Sequence, residues 1–402
     1  MSDRDHRRRT WRMIAAATAL NLPIGALYAF SVFIQPLEAL LGLSRADLAL
    51  VFGVAAAAFG VGMMAAPALY RIAPTPWLVL ACAGSSALGI ALAASADGLL
   101  ALAVGYGGLF GLGGGAAYIL VQQMVNLTVT SRRGLVNGYM VSLLPAGAMI
   151  TAPIFGWAIR VFGVRATLGG FAVSLAVTGL LSASLTRGGA AVAGTTGGVA
   201  IREDERRRAV FWRLSIVFFL AASAGLMVLS QAAGIITAYG GTTALAVYGT
   251  TGITAAIAVA RLGGGWMVDW LAIPTVAAGA HAIALAGNVV LSIWPGPAVA
   301  VAALALVGLG YGIISGVTAA SVAVYWRRAL YGRMASRVYI AWSAAAIVLP
   351  IVAGRLFDVT QGYGTAVLIA GGGNALGILI AAGLPAERAA VEPAAAEPSA
   401  AA

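Results

Sequence analysis

The sequence has few charged residues and almost no cysteine. Only 9% of its 402 residues are charged and 61% are hydrophobic, and the mean hydropathy is +0.95. Because soluble domains carry about 25% charged residues, this composition excludes a soluble enzyme. The single cysteine, Cys82, lies within an apolar block, which excludes a disulfide framework and a cysteine-based zinc site.

Lysine is absent, so that all 24 basic residues are arginines, and with 13 acidic residues the net charge is +11. A basic chain can bind nucleic acid, but these arginines lie mainly between apolar blocks and not along one continuous face. This distribution is typical of membrane proteins, whose cytoplasmic loops collect positive charge. We therefore expect no nucleic-acid partner.

Twelve apolar blocks are long enough to cross a bilayer, which takes about 20 residues per helix. The first block follows five arginines but exceeds the roughly 7–15 apolar residues of a signal peptide. The pattern predicts an all-α membrane protein with twelve transmembrane helices. The predicted spans, numbered one to twelve, are about 13–36, 46–70, 77–95, 98–125, 134–159, 165–186, 212–238, 243–269, 273–294, 297–325, 331–357 and 363–384.

The arginines also predict the orientation of the chain. If both termini are cytoplasmic, 19 arginines lie on that side of the membrane and 4 on the other, with Arg261 inside a span. We expect a multi-pass protein of the cytoplasmic (inner) membrane. The predicted parts are a cytoplasmic N-terminus (1–12), an N-terminal six-helix half (13–186), a cytoplasmic linker (187–211), a C-terminal six-helix half (212–384) and a disordered cytoplasmic tail (385–402).

The two halves resemble each other in sequence. The segment GLGGG at 111–115 recurs as GLGYG at 308–312, and the arginine pair at 132–133 recurs at 327–328. Internal duplication of a six-helix unit is typical of transporters whose substrate site lies between the halves. The sequence contains no catalytic triad, paired carboxylates or metal-ligand cluster. It therefore predicts a transporter with no enzymatic activity, no cofactor and no metal.

Arg261 is the most informative residue. It lies within span eight, roughly 12 Å before Asp269 at 1.5 Å per residue, where a charge costs about 2.5–3.5 kcal/mol on insertion scales. No aspartate or glutamate lies at a similar depth in any span. We interpret Arg261 as the anchor of an anionic substrate, because the guanidinium fork suits a planar carboxylate. The alternative is an arginine that caps helix carbonyls.

Polar residues on other spans complete the predicted substrate site, although each could instead join neighbouring helices by hydrogen bonds. His281 is a weak candidate for proton coupling, with a buried packing residue as the alternative. Gly263, Gly264, Gly265 and Asp269 are candidates for packing or gating. With Arg261, the predicted substrate-binding residues are Asn21, Tyr28, Tyr118, Gln122, Tyr311, Tyr339, Trp342 and Ser343.

Four features of the chain form a recognisable set: NLPIGALYAFSVFIQPL (21–37), GLGGGAAY (111–118), SRRGLVNGY (131–139) and Arg261 in span eight. Together they resemble the monocarboxylate transporter and oxalate/formate antiporter group of the major facilitator superfamily. The resemblance covers all twelve spans and implies the major facilitator fold. It also implies secondary transport of small monocarboxylates such as lactate, pyruvate or formate, with the carboxylate bound by Arg261.

Three positions depart from the patterns of these relatives. Tyr70 stands before Arg71 where the superfamily has an aspartate, and Ile257 stands where animal monocarboxylate carriers have a coupling aspartate. Trp342 stands where oxalate carriers have a lysine that supplies a second cation. A dicarboxylate–monocarboxylate antiporter is the alternative function, and a membrane sensor or enzyme on the same fold is a third. We expect a monomer in membrane lipid, with a proton or a counter-anion as co-substrate.

Overall fold

The computed structural model describes residues 3–70, 72–187, 205–360 and 362–387, and the regular elements in these ranges are all helical. The α-helices are Asp3–Ile24, Ser31–Leu41, Arg45–Leu69, Thr75–Ala94, Leu99–Leu102, Gly111–Thr128, Arg133–Thr186, Glu205–Ala238, Thr243–Val268, Ile273–Ile293, Pro297–Tyr325, Tyr331–Val338, Ile340–Thr360 and Gly364–Ala382. A π-helix, Ala103–Phe110, joins two of them, and 3₁₀ turns lie at Gly25–Ala29 and Arg328–Leu330.

The helices are consistent with the twelve predicted spans. Nine helices in the described ranges are long and apolar enough to cross a membrane, or ten if one bent pair is counted as a span. Helix Arg133–Thr186 has 54 residues, about 80 Å if it were straight, which exceeds a bilayer core of about 30 Å. It breaks at Gly163, whose φ is 80°, and so supplies spans five and six. Helices Tyr331–Val338 and Ile340–Thr360 together supply span eleven.

Span one is bent and not continuous as predicted. Its first part, Arg4–Ala29, ends in a 3₁₀ turn and meets its second part, Ser31–Leu41, at an angle of 59°. Pro23 lies just before the turn, and the turn begins at Gly25, where a Cβ would collide with the backbone carbonyl of Leu144. Proline removes a helical hydrogen bond, and the close contact with span five stabilises the bend of span one.

Two helices extend beyond the apolar blocks. Span one begins at Asp3, inside the predicted N-terminal segment, and span seven begins at Glu205, inside the predicted linker. A hydropathy pattern marks only the part of a helix that lies in hydrocarbon, so polar extensions escape it. The rest of the predicted linker (188–204), Arg71 and the predicted tail beyond residue 387 lie outside the described residues.

Both ends of the described chain lie on one face, which we call the terminal face. Thr10 Oγ1 donates to the Thr128 carbonyl (3.3 Å) at the end of span four, and Ile273 N donates to the Glu387 carbonyl (3.0 Å). The opposite side, the far face, carries the turns between odd-numbered spans and the spans that follow them. The two halves meet mainly where span five packs on spans eight and ten and where span eleven packs on span two.

Candidate functional site

A small cavity lies between the two halves. Its volume is about 30 Å³, which is room for about two water molecules at roughly 10–15 Å³ each. Four spans of each half contribute to its wall. The lining residues are Tyr28, Phe59, Met63, Tyr118, Val141, Leu144, Phe218, Arg261, Tyr311, Ser315, Tyr339 and Trp342.

Arg261 supplies the positive charge of this cavity. Its side chain is 4% exposed; Nη1 donates to the Val141 carbonyl (3.1 Å) and Nη2 donates to the Tyr311 hydroxyl (2.8 Å). A guanidinium has five N–H donors, so these two bonds leave three, including an Nε–H with no partner in the described part of the chain. Among the described side chains no carboxylate contacts Arg261, and the ion pairs Arg45–Glu38 and Arg165–Asp97 both lie on the far face.

The backbone of span five supplies an acceptor for Arg261 because of a proline. In a helix the carbonyl of Val141 would accept from the N–H of residue 145, but that residue is Pro145 and has no N–H. The carbonyl is therefore free to accept from Arg261 on the other half of the protein. A single imino acid in the N-terminal half thus helps to orient the guanidinium of the C-terminal half.

Tyr311, on span ten, organises the opposite side of the guanidinium. Its hydroxyl accepts from Arg261 and also from Nε1 of Trp342 (3.1 Å). The Arg261 Cζ atom lies 5.2 Å from the centroid of the Tyr311 ring, a distance at which a cation–π interaction contributes. Because arginine and tryptophan only donate, the Tyr311 hydroxyl keeps its own hydrogen for an acceptor in the cavity.

Aromatic rings from both halves form the rest of the wall. Trp342 meets Tyr28 and Phe59 edge to face, each at 6.1 Å between ring centroids. Tyr118 of span four packs on Tyr339 of span eleven at 5.8 Å. These contacts join spans one, two and four to span eleven and leave the cavity mostly apolar around one cationic group.

The structure brings together six of the nine predicted substrate-binding residues: Arg261, Tyr28, Tyr118, Tyr311, Tyr339 and Trp342. The other three lie outside the cavity wall. Asn21 is fully buried, and its amide has no partner in the described ranges. Gln122 accepts from the Tyr331 hydroxyl (2.7 Å), and Ser343 packs beside Gly60.

Six lining residues were not among the predicted binding residues; one of them, Ser315, is polar and donates to the Tyr311 carbonyl of its own helix (2.9 Å). The other five are apolar or act through their backbone. Phe59, Met63, Leu144 and Phe218 carry no polar group that would mark them within an apolar span. Val141 is different, because the proline four residues later is visible in the sequence and indicates an unpaired carbonyl.

His281 lies away from the cavity, within the C-terminal half. Its Nδ1 atom is 2.9 Å from Oδ1 of Asn374 on span twelve, and its ring occupies the space left by Gly377. The residue is fully buried. This geometry is that of a histidine that joins spans nine and twelve.

Asp269 connects the halves at the terminal face. Its carboxylate accepts from the backbone N–H groups of Gly134 (2.7 Å) and Leu135 (2.8 Å), at the start of span five, where the first N–H groups of a helix lack partners. Partial burial raises the pKa of Asp269 above its usual value, and the two N–H donors and the nearby Arg132 oppose that rise.

Two of the three candidate glycines pack closely against other spans. A Cβ at Gly264 would collide with the Ile313 carbonyl, and one at Gly265 would collide with Gly138 of span five. Gly263, in contrast, has open space around it. Gly264 and Gly265 are thus packing positions, since only glycine permits these backbone approaches.

Span four closes the terminal side of the cavity against the start of span eleven. Gln123 Nε2 donates to the Arg328 carbonyl (3.0 Å), and its Oε1 accepts from Gly332 N. Together with the bonds of Asp269, these contacts join the two halves on the terminal side of the cavity.

Comparison with known proteins places this architecture in a family. A family model described as Major Facilitator Superfamily matches residues 14–350. The chain belongs to this superfamily. A curated relative from the superfamily is an uncharacterized MFS-type transporter, YhjX, of Escherichia coli (strain K12), which is 23% identical over 240 residues. The match covers 58% of this chain and spans 59% of the relative's length.

Solved structures of superfamily members share the fold along nearly the whole chain. A double-tryptophan variant of XylE has a TM-score of 0.80 at 13% identity, covering 95% of this chain and 97% of that one. The E. coli fucose:proton symporter FucP has a TM-score of 0.65 at 18% identity (94% and 98% covered). The human organic anion transporter MFSD10 has a TM-score of 0.67 at 13% identity (95% and 100% covered). These likenesses concern the fold.

Proposed function

We propose that this chain is a secondary transporter that carries small monocarboxylates, such as lactate, pyruvate or formate, across the cytoplasmic membrane. The two halves would expose the cavity alternately to each side, with both termini in the cytoplasm. Membership of the superfamily and the internal duplication support the transport mechanism. The excess of arginine on the terminal face supports the orientation.

The observation that carries the substrate class is the buried, uncompensated guanidinium of Arg261. Two of its donors bind the Val141 carbonyl and the Tyr311 hydroxyl, its Nε–H has no acceptor among the described residues, and no described carboxylate contacts it. A buried cation is unfavourable unless a counter-charge is present. A carboxylate in the cavity would supply that charge, accept from Arg261 and accept a further bond from the Tyr311 hydroxyl.

Charge and volume favour a small monoanion. Arg261 is the one cation among the described residues of the cavity wall, and the surrounding rings offer little to a second carboxylate. The cavity of about 30 Å³ favours substrates of a few heavy atoms, and larger ones require the halves to move apart.

A dicarboxylate–monocarboxylate antiporter is the alternative, and it needs a second cation at the site. Trp342 occupies the position where the resemblance to oxalate carriers places a lysine, and its Nε1 is bound to Tyr311. Arg333 and Arg337 belong to helix Tyr331–Val338 and do not line the cavity. The monocarboxylate therefore remains the preferred substrate.

The proposed coupling follows from the lack of an aspartate or glutamate at the depth of Arg261 in any predicted span. Either one carboxylate exchanges for another, or the proton travels with the carboxylate. Proton transfer through His281 is a weaker alternative, because His281 is bonded to Asn374 within the C-terminal half.

Two measurements on purified protein test this proposal. Saturating lactate, pyruvate or formate should raise the melting temperature by mass action; at 100 times Kd the expected stabilisation is about 2.7 kcal/mol. Proteoliposomes should then accumulate the same labelled carboxylate, with and without a pH gradient. If xylose, fucose or a cation stabilises the protein and no short carboxylate does, the substrate assignment is wrong. If a carboxylate binds but preloaded vesicles show no counterflow, the protein is a sensor and not a transporter.

A further inference from the structure

A second cavity, which we call the lateral cleft, lies within the C-terminal half between spans seven, eleven and twelve. Its volume is about 340 Å³, and none of its described lining residues also lines the cavity around Arg261. Ser223 is the one residue with a polar side chain in its described lining. The described lining of the cleft therefore offers no charged group to a carboxylate or a charged lipid headgroup.

The lateral cleft opens toward the bilayer. Val352, Ile369 and Leu376 line it and are also exposed on the outer surface of the spans. Gly372 is exposed at the same rim and has open space where a Cβ would lie. These residues belong to helices that cross the hydrocarbon core of the membrane. The opening of the cleft is therefore in contact with the acyl chains of lipids.

The inner wall of the cleft is left unfilled by the described protein. Met227, Ala353 and Ala366 form a small apolar cluster separate from the main core. Protein interiors have few voids larger than a water molecule, whereas an apolar cavity of about 150 Å³ already admits benzene. A cavity more than twice that size within a membrane is large enough for a segment of hydrocarbon chain.

We propose that the lateral cleft binds an acyl chain of a membrane lipid, which enters sideways from the bilayer. The apolar lining, the lateral opening and the volume all match a hydrocarbon chain. Spans seven and eleven also contribute Phe218, Tyr339 and Trp342 to the cavity around Arg261. A bound chain therefore stabilises the positions of two helices that form the substrate site.

Photolabelling of the full chain in lipid nanodiscs tests this proposal directly. The probe is a phospholipid with a photoactivatable diazirine in its acyl chain, and labelled residues are mapped by peptide mass spectrometry. We expect labelling on the cleft-facing residues of spans seven and twelve to exceed that of Val173 and Leu180, which are exposed on the outer surface of span six.

Two filling variants and one matched control complete the design. Gly373→Leu places a side chain in the cleft, where a Cβ meets only Leu220 at 3.6 Å, and Ala370→Phe fills the same space from the next turn. Gly170→Leu adds the same leucine on the outside of span six, where a Cβ has open space. The filling variants should lose the cleft labelling, and the control should retain it.

Two outcomes overturn the proposal. One is labelling of the cleft that does not exceed labelling of the outer surface of span six. The other is cleft labelling that persists in whichever of the two filling variants elutes as a folded protein in size-exclusion chromatography.

Discussion

Replacement of Arg261 is the sharpest test of the proposed substrate site. Arg261→Lys keeps the positive charge but removes the fork, so that one of two charge-assisted hydrogen bonds to the carboxylate is lost. Such a bond contributes about 1.5–3 kcal/mol, so the lysine variant should bind the carboxylate roughly 10- to 150-fold more weakly. Arg261→Ala removes both bonds and should weaken binding by about 10²- to 10⁴-fold.

The assay is carboxylate affinity per correctly folded molecule, measured by ligand-induced shift in melting temperature after size-exclusion chromatography. Folding needs its own measurement, because Arg261→Ala also leaves the Val141 carbonyl without a donor. Arg160→Ala is the matched control, since Arg160 is exposed on the far face and its loss should leave affinity unchanged.

An arginine that only stabilised the helices would behave differently. Both Arg261 variants would then fold poorly, while the molecules that did fold would bind the carboxylate with normal affinity. Normal affinity in folded Arg261→Ala would refute the role of Arg261 as the anchor.

Three further predictions follow from the site and its surroundings. Trp342→Lys should raise inhibition of uptake by oxalate relative to lactate, because it adds the second cation that a dianion needs; an unchanged ratio would exclude Trp342 from the site. Because burial raises the pKa of Asp269, the closed terminal face binds a proton more tightly than an arrangement that exposes this carboxyl. Acidification should therefore stabilise the closed terminal face. This stabilisation is complete below the ordinary aspartate pKa of about 3.9, and it is lost as the pH rises through the raised pKa of Asp269 in the closed arrangement. Asp269→Asn should abolish this pH dependence in the accessibility of an engineered cysteine at the terminal face; an unaltered profile would assign it to another group. His281→Ala should weaken the link between spans nine and twelve and lower the melting temperature, while pH-driven uptake per folded molecule persists; abolished uptake would make His281 the coupling residue.

The sequence by itself determined the membrane class, the twelve spans, the duplication and the exceptional position of Arg261. Each of these depends on local composition, because a segment of about 20 apolar residues is stable in hydrocarbon whatever its neighbours are. Arg261 was visible for the same reason, since no acidic residue shares its depth in any span. Five of the other predicted residues do line the cavity beside it.

Only the tertiary structure decided how the helices are rotated and which side chains meet. Composition assigned Asn21, Gln122 and Ser343 to the site as readily as Tyr311, yet packing between the halves turns those three away from the cavity. The bend of span one, the bonds from Asp269 to the start of span five and the lateral cleft likewise arise from contacts between helices distant in sequence. In a membrane both faces of a helix can be apolar, so hydropathy carries little information about which face packs inward, and close approach of backbones and pairing of buried polar groups decide it.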